Sequence, residues 1–377
     1  MKLVVVLYLS LLRVSITIAY NLLEDFSGNT FFDAWDFYGS YDNLTLGDVW
    51  WLNREQAFEQ GLVSTNGEGN AIIKVDNSTE VLPNEKRNAI RITTQRTYEF
   101  GTLWIADIVR LPWGCSVWPA LWTMGADWPQ NGEIDIIEGI NLMTANQMAL
   151  HTRLGCVHTL DPPNLNQVGV SGETNCGAPS GCTVFEQKLF SFGRDYAAKG
   201  GGVWAVQFEE SGMWFWPRGQ VPPSVLNASN APGSTLWLDD WGTPSANFPS
   251  TPSCNISDFF GPQKLVLDIT LCGIWAALPE LYTPPCGSSG PTGICYNDNV
   301  VGLPGTRYDN AYFEIKYIRT YTQAEVPAPT PSSASEQGDD GSPGTNVGVW
   351  LVGRPGIWWG WAGLSLLATR DLVGGLW

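Results

Sequence analysis

Glu133-Ile-Asp135-Ile-Ile-Glu138 places three carboxylates within six residues of a run that is otherwise isoleucine. Acidic residues alternating with β-branched ones favour an extended strand with one acidic and one apolar face. Strict two-residue alternation puts Glu133 and Asp135 on one face with Ile137 and sends Glu138 to the other. One extra residue near Ile136 or Ile137, a β-bulge, resets that parity and brings all three acids to the same side. Bulges of this kind re-aim side chains beside active sites, so the spacing predicts a bulged strand presenting a catalytic acid cluster. An acidic strand face in an acidic protein is the plain alternative.

With one residue absorbed, the Glu133 and Glu138 Cα atoms lie about four strand steps apart, roughly 13 Å. Side chains leaning toward each other close this gap to roughly 5 Å, the separation used in retaining glycoside hydrolysis. One carboxylate then attacks the sugar, and the other donates and later recovers a proton. Asp135, between them, is placed to raise a neighbour's pKa by like-charge repulsion or to share its proton. This chemistry requires no cofactor. Two histidines and the absence of a Cys-x-x-Cys pair argue against a zinc site.

The flanking sequence carries a family likeness. Cys115-Ser-Val-Trp118-Pro-Ala-Leu-Trp122-Thr-Met-Gly and Trp128-Pro-Gln-Asn-Gly precede the acids, and Asn146-Gln-Met-Ala-Leu-His151-Thr follows them. Trp35-Asp-Phe-Tyr-Gly-Ser-Tyr, Tyr196-Ala-Ala-Lys-Gly-Gly-Gly, Phe260-Gly-Pro-Gln-Lys and Tyr308-Asp-Asn-Ala-Tyr-Phe-Glu-Ile fall in register as well. Over residues 20–323 the chain resembles the fungal laminarinase-like endo-1,3(4)-β-glucanases of glycoside hydrolase family 16. The resemblance implies Glu133 as nucleophile, Asp135 as assisting acid and Glu138 as acid/base. It also implies Trp122, Trp128, His151 and Trp275 as substrate-binding residues. Trp118 is left open, since its parity relative to Trp122 permits either face. The implied partner is a β-glucan polysaccharide, bound by a monomer. A cell-wall transglycosylase is the nearer rival, although family transglycosylases more often carry a shorter E-x-D-x-E spacing. A catalytically idle wall-binding protein is the more distant one.

The positioning elements are strands. Short β-rich runs recur at Ala71–Val75, Ala89–Thr94, Thr102–Val109, Glu133–Glu138, Gln147–Thr152, Val203–Glu209, Lys264–Leu271 and Asn310–Tyr321. Turn-rich segments separate them, drawing on 41 glycines and 25 prolines. No long stretch has helical periodicity. The pattern predicts an all-β sandwich of two antiparallel sheets. The resemblance sharpens it to a β-jelly roll with a concave substrate cleft.

A chain of 377 residues with 44% hydrophobic content can bury a sizeable core. The formal net charge of −17, with scattered basic residues, argues against nucleic acid and anionic membranes as partners. Lys2, the apolar stretch Leu3 to Leu12 and Thr17-Ile-Ala19 read as an export signal over residues 1–19, with Arg13 interrupting it. Eight cysteines in an exported chain predict disulfides, with 105 connectivities open. Sequons at Asn43, Asn77, Asn227 and Asn255 fit the same extracellular, cell-wall-compatible destination. Residues 324–346 read as a flexible Pro/Ser/Gly/acid-rich linker. Residues 347–377 form an apolar tail with five tryptophans, interrupted by Arg354, Arg370 and Asp371. The tail contacts membrane only if it serves as a lipid-anchor signal; an extension or translated non-coding sequence are the alternatives.

One position departs from the family pattern. Leu271-Cys-Gly-Ile274-Trp275 carries isoleucine where the family usually has aspartate. Ile274→Asp is therefore expected to change rates on oligosaccharides in a length-dependent way while leaving the chemistry intact. Rates unaltered across chain lengths would remove Ile274 from the binding surface.

Overall fold

The computed structural model describes residues 19–158, 166–209 and 212–323. The expected export signal (apart from Ala19), linker and apolar tail lie outside the described residues. The first strands are β1 (Ala19–Ser27), β2 (Trp35–Phe37), β3 (Val49–Trp51), β4 (Val63–Thr65), β5 (Ala71–Lys74), β6 (Arg87–Ala89) and β7 (Arg91–Thr94). They are followed by β8 (Thr102–Arg110), β9 (Val117–Gly125), β10 (Glu133–Glu138), β11 (Gln147–His151), β12 (Val170–Ser171) and β13 (Cys182–Phe185). The last are β14 (Gly202–Phe208), β15 (Gly212–Pro217), β16 (Thr235–Trp237), β17 (Ala246–Asn247), β18 (Gln263–Leu271) and β19 (Tyr312–Gln323).

Two large antiparallel sheets result, in a jelly-roll sandwich as expected. One runs β12-β13-β11-β10-β9-β18-β7-β2 and the other β16-β1-β19-β8-β14-β15-β17, with β5 also on β19 and β4 on β5. Leu121, Ile134, Leu265, Leu267 and Ile269 from the first sheet meet Trp104, Ile108, Val206, Phe215 and Ile315 from the second in one core cluster. Fully burying each such side chain contributes about 1.5–3 kcal/mol. A second cluster covers the outer face of the second sheet, where Trp241 packs edge-on against Trp214 and Trp216.

The expected strand Ala89–Thr94 is two strands: β6 pairs in parallel with β3, and after Ile90 the chain enters the first large sheet as β7. β9 escaped the strand pattern because Pro119 interrupts it, and proline removes a ladder donor. Pro119 is tolerated because it lies one residue beyond the β10 pairing, which reaches only Ala120, and pairs with Ile269 on the other side. The β9–β10 hairpin closes at Gly132, whose φ of +77° and contact with the Phe260 ring exclude a side chain.

All eight cysteines pair: Cys115–Cys286, Cys156–Cys254, Cys176–Cys182 and Cys272–Cys295. Arg87 staples loops that the disulfides leave free. Its fully buried guanidinium donates to the carbonyls of Asp76, Thr79, Val300 and Gly302 and lies 5.1 Å from the Tyr308 ring centre. Arg87→Ala removes a donor from each of these carbonyls and leaves the buried Asp76 carboxylate, 3.7 Å from the guanidinium, without that cation. Unfolding free energy is expected to drop by about 3 kcal/mol or more in a denaturant titration.

Candidate active site

β10 is bulged where the sequence required it. Against β9, Asp135 pairs with Trp122 and Ile137 with Leu121, so Ile136 is the extra residue. Against β11, Asp135 pairs with Ala149 and Glu138 with Gln147. Ile134, Ile136 and Ile137 all enter the core, while Glu133, Asp135 and Glu138 all line one cleft. The energetics explain the choice. Unbroken alternation would exchange Ile137 for Glu138 in the core, losing about 1.5–3 kcal/mol of apolar burial. It would also add the larger cost of an unpaired buried carboxyl.

The cleft has a volume of about 570 Å³. Glu133 and Glu138 are half-buried on its floor, and Asp135 is buried between them. Trp128 Nε1 donates to Glu133 Oε2, and Trp118 Nε1 donates to Glu138 Oε1 at 2.9 Å. His151, paired with Glu133 across the strands, brings Nε2 to 3.3 Å from Asp135 Oδ2. Trp122 is turned to the other side of the floor, where its Nε1 donates to Asp268 Oδ2 at 3.1 Å. Trp275 meets Trp118 edge-on at 5.3 Å. All seven residues singled out from the sequence therefore share the cleft wall, with Ile274 exposed on its rim.

Sequence reasoning left Trp118 undecided and missed Trp51, Arg91, Gln147 and Asp268, which line the same cleft. Arg91 lies under the rings of Tyr38, Trp51 and Trp122 at 4.8–5.3 Å. A signal for Asp268 existed: it is a single acid inside the apolar run Leu265-Val-Leu-Asp-Ile-Thr-Leu271. Arg91 reaches the site only through long-range pairing of β7 with β18.

Burial first, and like charge second, raise the acids of the cleft. Burial, and then the charge of Asp135, push the Glu133 carboxyl up to about 8. The same two causes hold Glu138 well above the usual carboxylate range. Burial also raises Asp135, opposed by a hydrogen bond from Glu133. Burial likewise pushes Asp268, on the same floor, up to about 7, so all four acids of the cleft are held above the usual carboxylate range.

Residues 35–321 match the family model for the XgeA-like catalytic GH16 domain. A probable glycosidase of Schizosaccharomyces pombe is 36% identical over 80% of this chain and 69% of its own length. The chain belongs to glycoside hydrolase family 16. A probable endo-1,3(4)-β-glucanase of Aspergillus clavatus is 35% identical over 84% of this family-16 chain and 49% of its own length. The chain thus spans about half of that relative. Among solved structures, an elongating family-16 β-1,3-glucosyltransferase shares 36% identity at a TM-score of 0.71, over 80% of this chain and 100% of its own. Laminarinase 16A from Phanerochaete chrysosporium, holding β-glucans in donor and acceptor sites, shares 31% at 0.72, over 81% and 100%.

The raised carboxyls have a cost in stability. A folded-state pKa above the unfolded value favours the fold at low pH, and that contribution is lost as pH rises through the folded value. For Glu133 the window runs from about 4.3 unfolded to about 8 folded. Glu133→Gln is expected to match the wild-type Tm at pH 4 and to exceed it by about 3 °C at pH 8, measured calorimetrically.

Proposed function

We propose that the protein is an extracellular endo-β-glucanase that cuts internal bonds of 1,3- or mixed 1,3/1,4-linked glucans with retention. The bulge at Ile136, which turns Glu133 and Glu138 into one cleft, carries this reading. Glu133, its proton passed to Asp135, attacks the anomeric carbon and forms a glycosyl-enzyme as the glycosidic C–O bond breaks. Glu138, still protonated beneath Trp118, protonates the departing oxygen and then deprotonates the incoming water. Asp135, with His151 Nε2 3.3 Å from its Oδ2, carries that proton while Glu133 is ionised for attack. The aromatic side chains Trp122, Trp128 and Trp275 offer flat faces to sugar rings. Four disulfides are consistent with an exported protein.

A second reading, glucan transfer to a sugar acceptor, is favoured by the likeness to the elongating glucosyltransferase. Incubation with laminarin, lichenan and xyloglucan, reading product length and linkage, separates the two. Hydrolysis gives shorter products and new reducing ends; products longer than the donor would replace hydrolase with transferase. Glu138→Gln is expected to lower turnover by about 10²–10⁴-fold. Glu133→Gln removes the attacking oxygen and is expected to abolish turnover. Undiminished glucan cleavage by either variant would end the assignment of that residue.

A further inference from the structure

A bulge re-aims a side chain but interrupts the ladder around it, leaving backbone groups in need of partners. Around Ile136 those groups include the Glu138 N–H and the Ile136 carbonyl, and one side chain takes both. Asn146 Oδ1 accepts from the Glu138 N–H at 2.9 Å, and its Nδ2 donates to the Ile136 oxygen at 2.9 Å. Asn146 is itself completely buried and fixed through its backbone. Its N–H donates to Ser191 Oγ at 3.1 Å, and its carbonyl accepts from the Glu186 N–H at 3.0 Å. The amide head thus grips both sides of the bulge from the residue preceding β11.

The chemistry of the grip is selective. It needs an acceptor and a donor on one short planar group, which an uncharged primary amide provides. An ionised carboxylate lacks the donor, alanine lacks both, and glutamine adds a methylene to a completely buried side chain. We propose that Asn146 is a positioning residue for the acid/base: it fixes the backbone orientation from which Glu138 reaches the glycosidic oxygen. The inference rests on the reading of Glu138 given above. Trp118 holds the carboxyl end of Glu138 and Asn146 holds its backbone end, so the group is located from both sides. Displacement by about 1 Å at such a position costs on the order of 10²-fold in rate.

The test exploits the fact that a protonated carboxyl reproduces the acceptor–donor pair of the amide. The titratable side chains on elements packed against Asn146 are Glu133, Asp135 and Glu138 on β10, His151 on β11 and, in the stretch after β13, Glu186 with its neighbour Lys188; of these the Glu138 and Glu186 backbones bond Asn146 directly. Ionisation of a carboxyl introduced there removes the donor and adds negative charge facing Glu138 and Glu186. Laminarin hydrolysis by Asn146→Asp is expected to stay within about threefold of wild type at pH 4 and to fall behind by about 10²-fold at pH 7. Asn146→Ala is expected to lose about 10²-fold in kcat at both pH values, with KM changed less than about threefold because the aromatic floor is untouched. Rates are taken per folded enzyme, counted by near-ultraviolet circular dichroism at each pH. Variants that follow the wild-type pH–rate profile beside an active wild type would overturn the proposal. If neither variant folds, Asn146 is a requirement of the fold and the positioning role is withdrawn. If Asn146→Ala alone fails to fold, Asn146→Asp read at two pH values on one preparation decides. A wild type that releases no reducing ends overturns the glucanase reading instead.

Discussion

Competition for the core at one position governs the site. Isoleucines 134, 136 and 137 all belong to the apolar layer between the sheets, yet a regular strand can give that layer only every second residue. The strand resolves the conflict by inserting Ile136 out of step, and the acids follow from it. The acid cluster is in this sense a by-product of hydrophobic burial: Glu138 reaches the cleft because Ile137 is worth more in the core. Nearby features support that solution. Pro119 ends the β9 pairing just past Ala120, and Gly132 admits the Phe260 ring at the hairpin.

The price of the arrangement is electrostatic. Glu133, Asp135 and Glu138 crowd together, with Asp268 further along the floor. Arg91 is the one Lys or Arg among the described residues lining the cleft, and it sits beneath aromatic rings. Indole N–H groups supply much of the compensation, each of Trp118, Trp122 and Trp128 donating to a different carboxyl. The same tryptophans that line the cleft therefore restrain the acids at their edges. Disulfides brace both ends: Cys176–Cys182 brackets the Gly177–Ser180 lining beside His151, and Cys272–Cys295 follows β18 into the Trp275 segment.

What the sequence made legible was local. The acid spacing encodes the bulge because parity is a two-residue rule that needs no knowledge of partners. Strands rich in β-branched and apolar residues, such as β10, β11 and β18, were found within a residue or so of their ends. β9 was missed because its proline reads as a strand breaker unless the shortness of its neighbour is known. Trp128, His151 and Trp275 were reached through family likeness alone. Arg91 and the placing of Asp268 needed the strand order, which sets β18 between β9 and β7 although they lie far apart in sequence. Disulfide pairing was equally beyond reach, since the count of cysteines does not choose among connectivities.

The register of the concave sheet gives the cleft floor a grain. Arg91, Asp268, Ala120, Glu138, Gln147 and Phe185 stand in one transverse row, each from a different strand. Neighbouring strands are about 4.8 Å apart, close to the length a single pyranose unit occupies along a polysaccharide. A ligand lying along that row meets a fresh strand at every sugar. Each ring can then be recognised by its own segment of chain, and recognition of one ring can drift in evolution without disturbing the bulged strand at the centre.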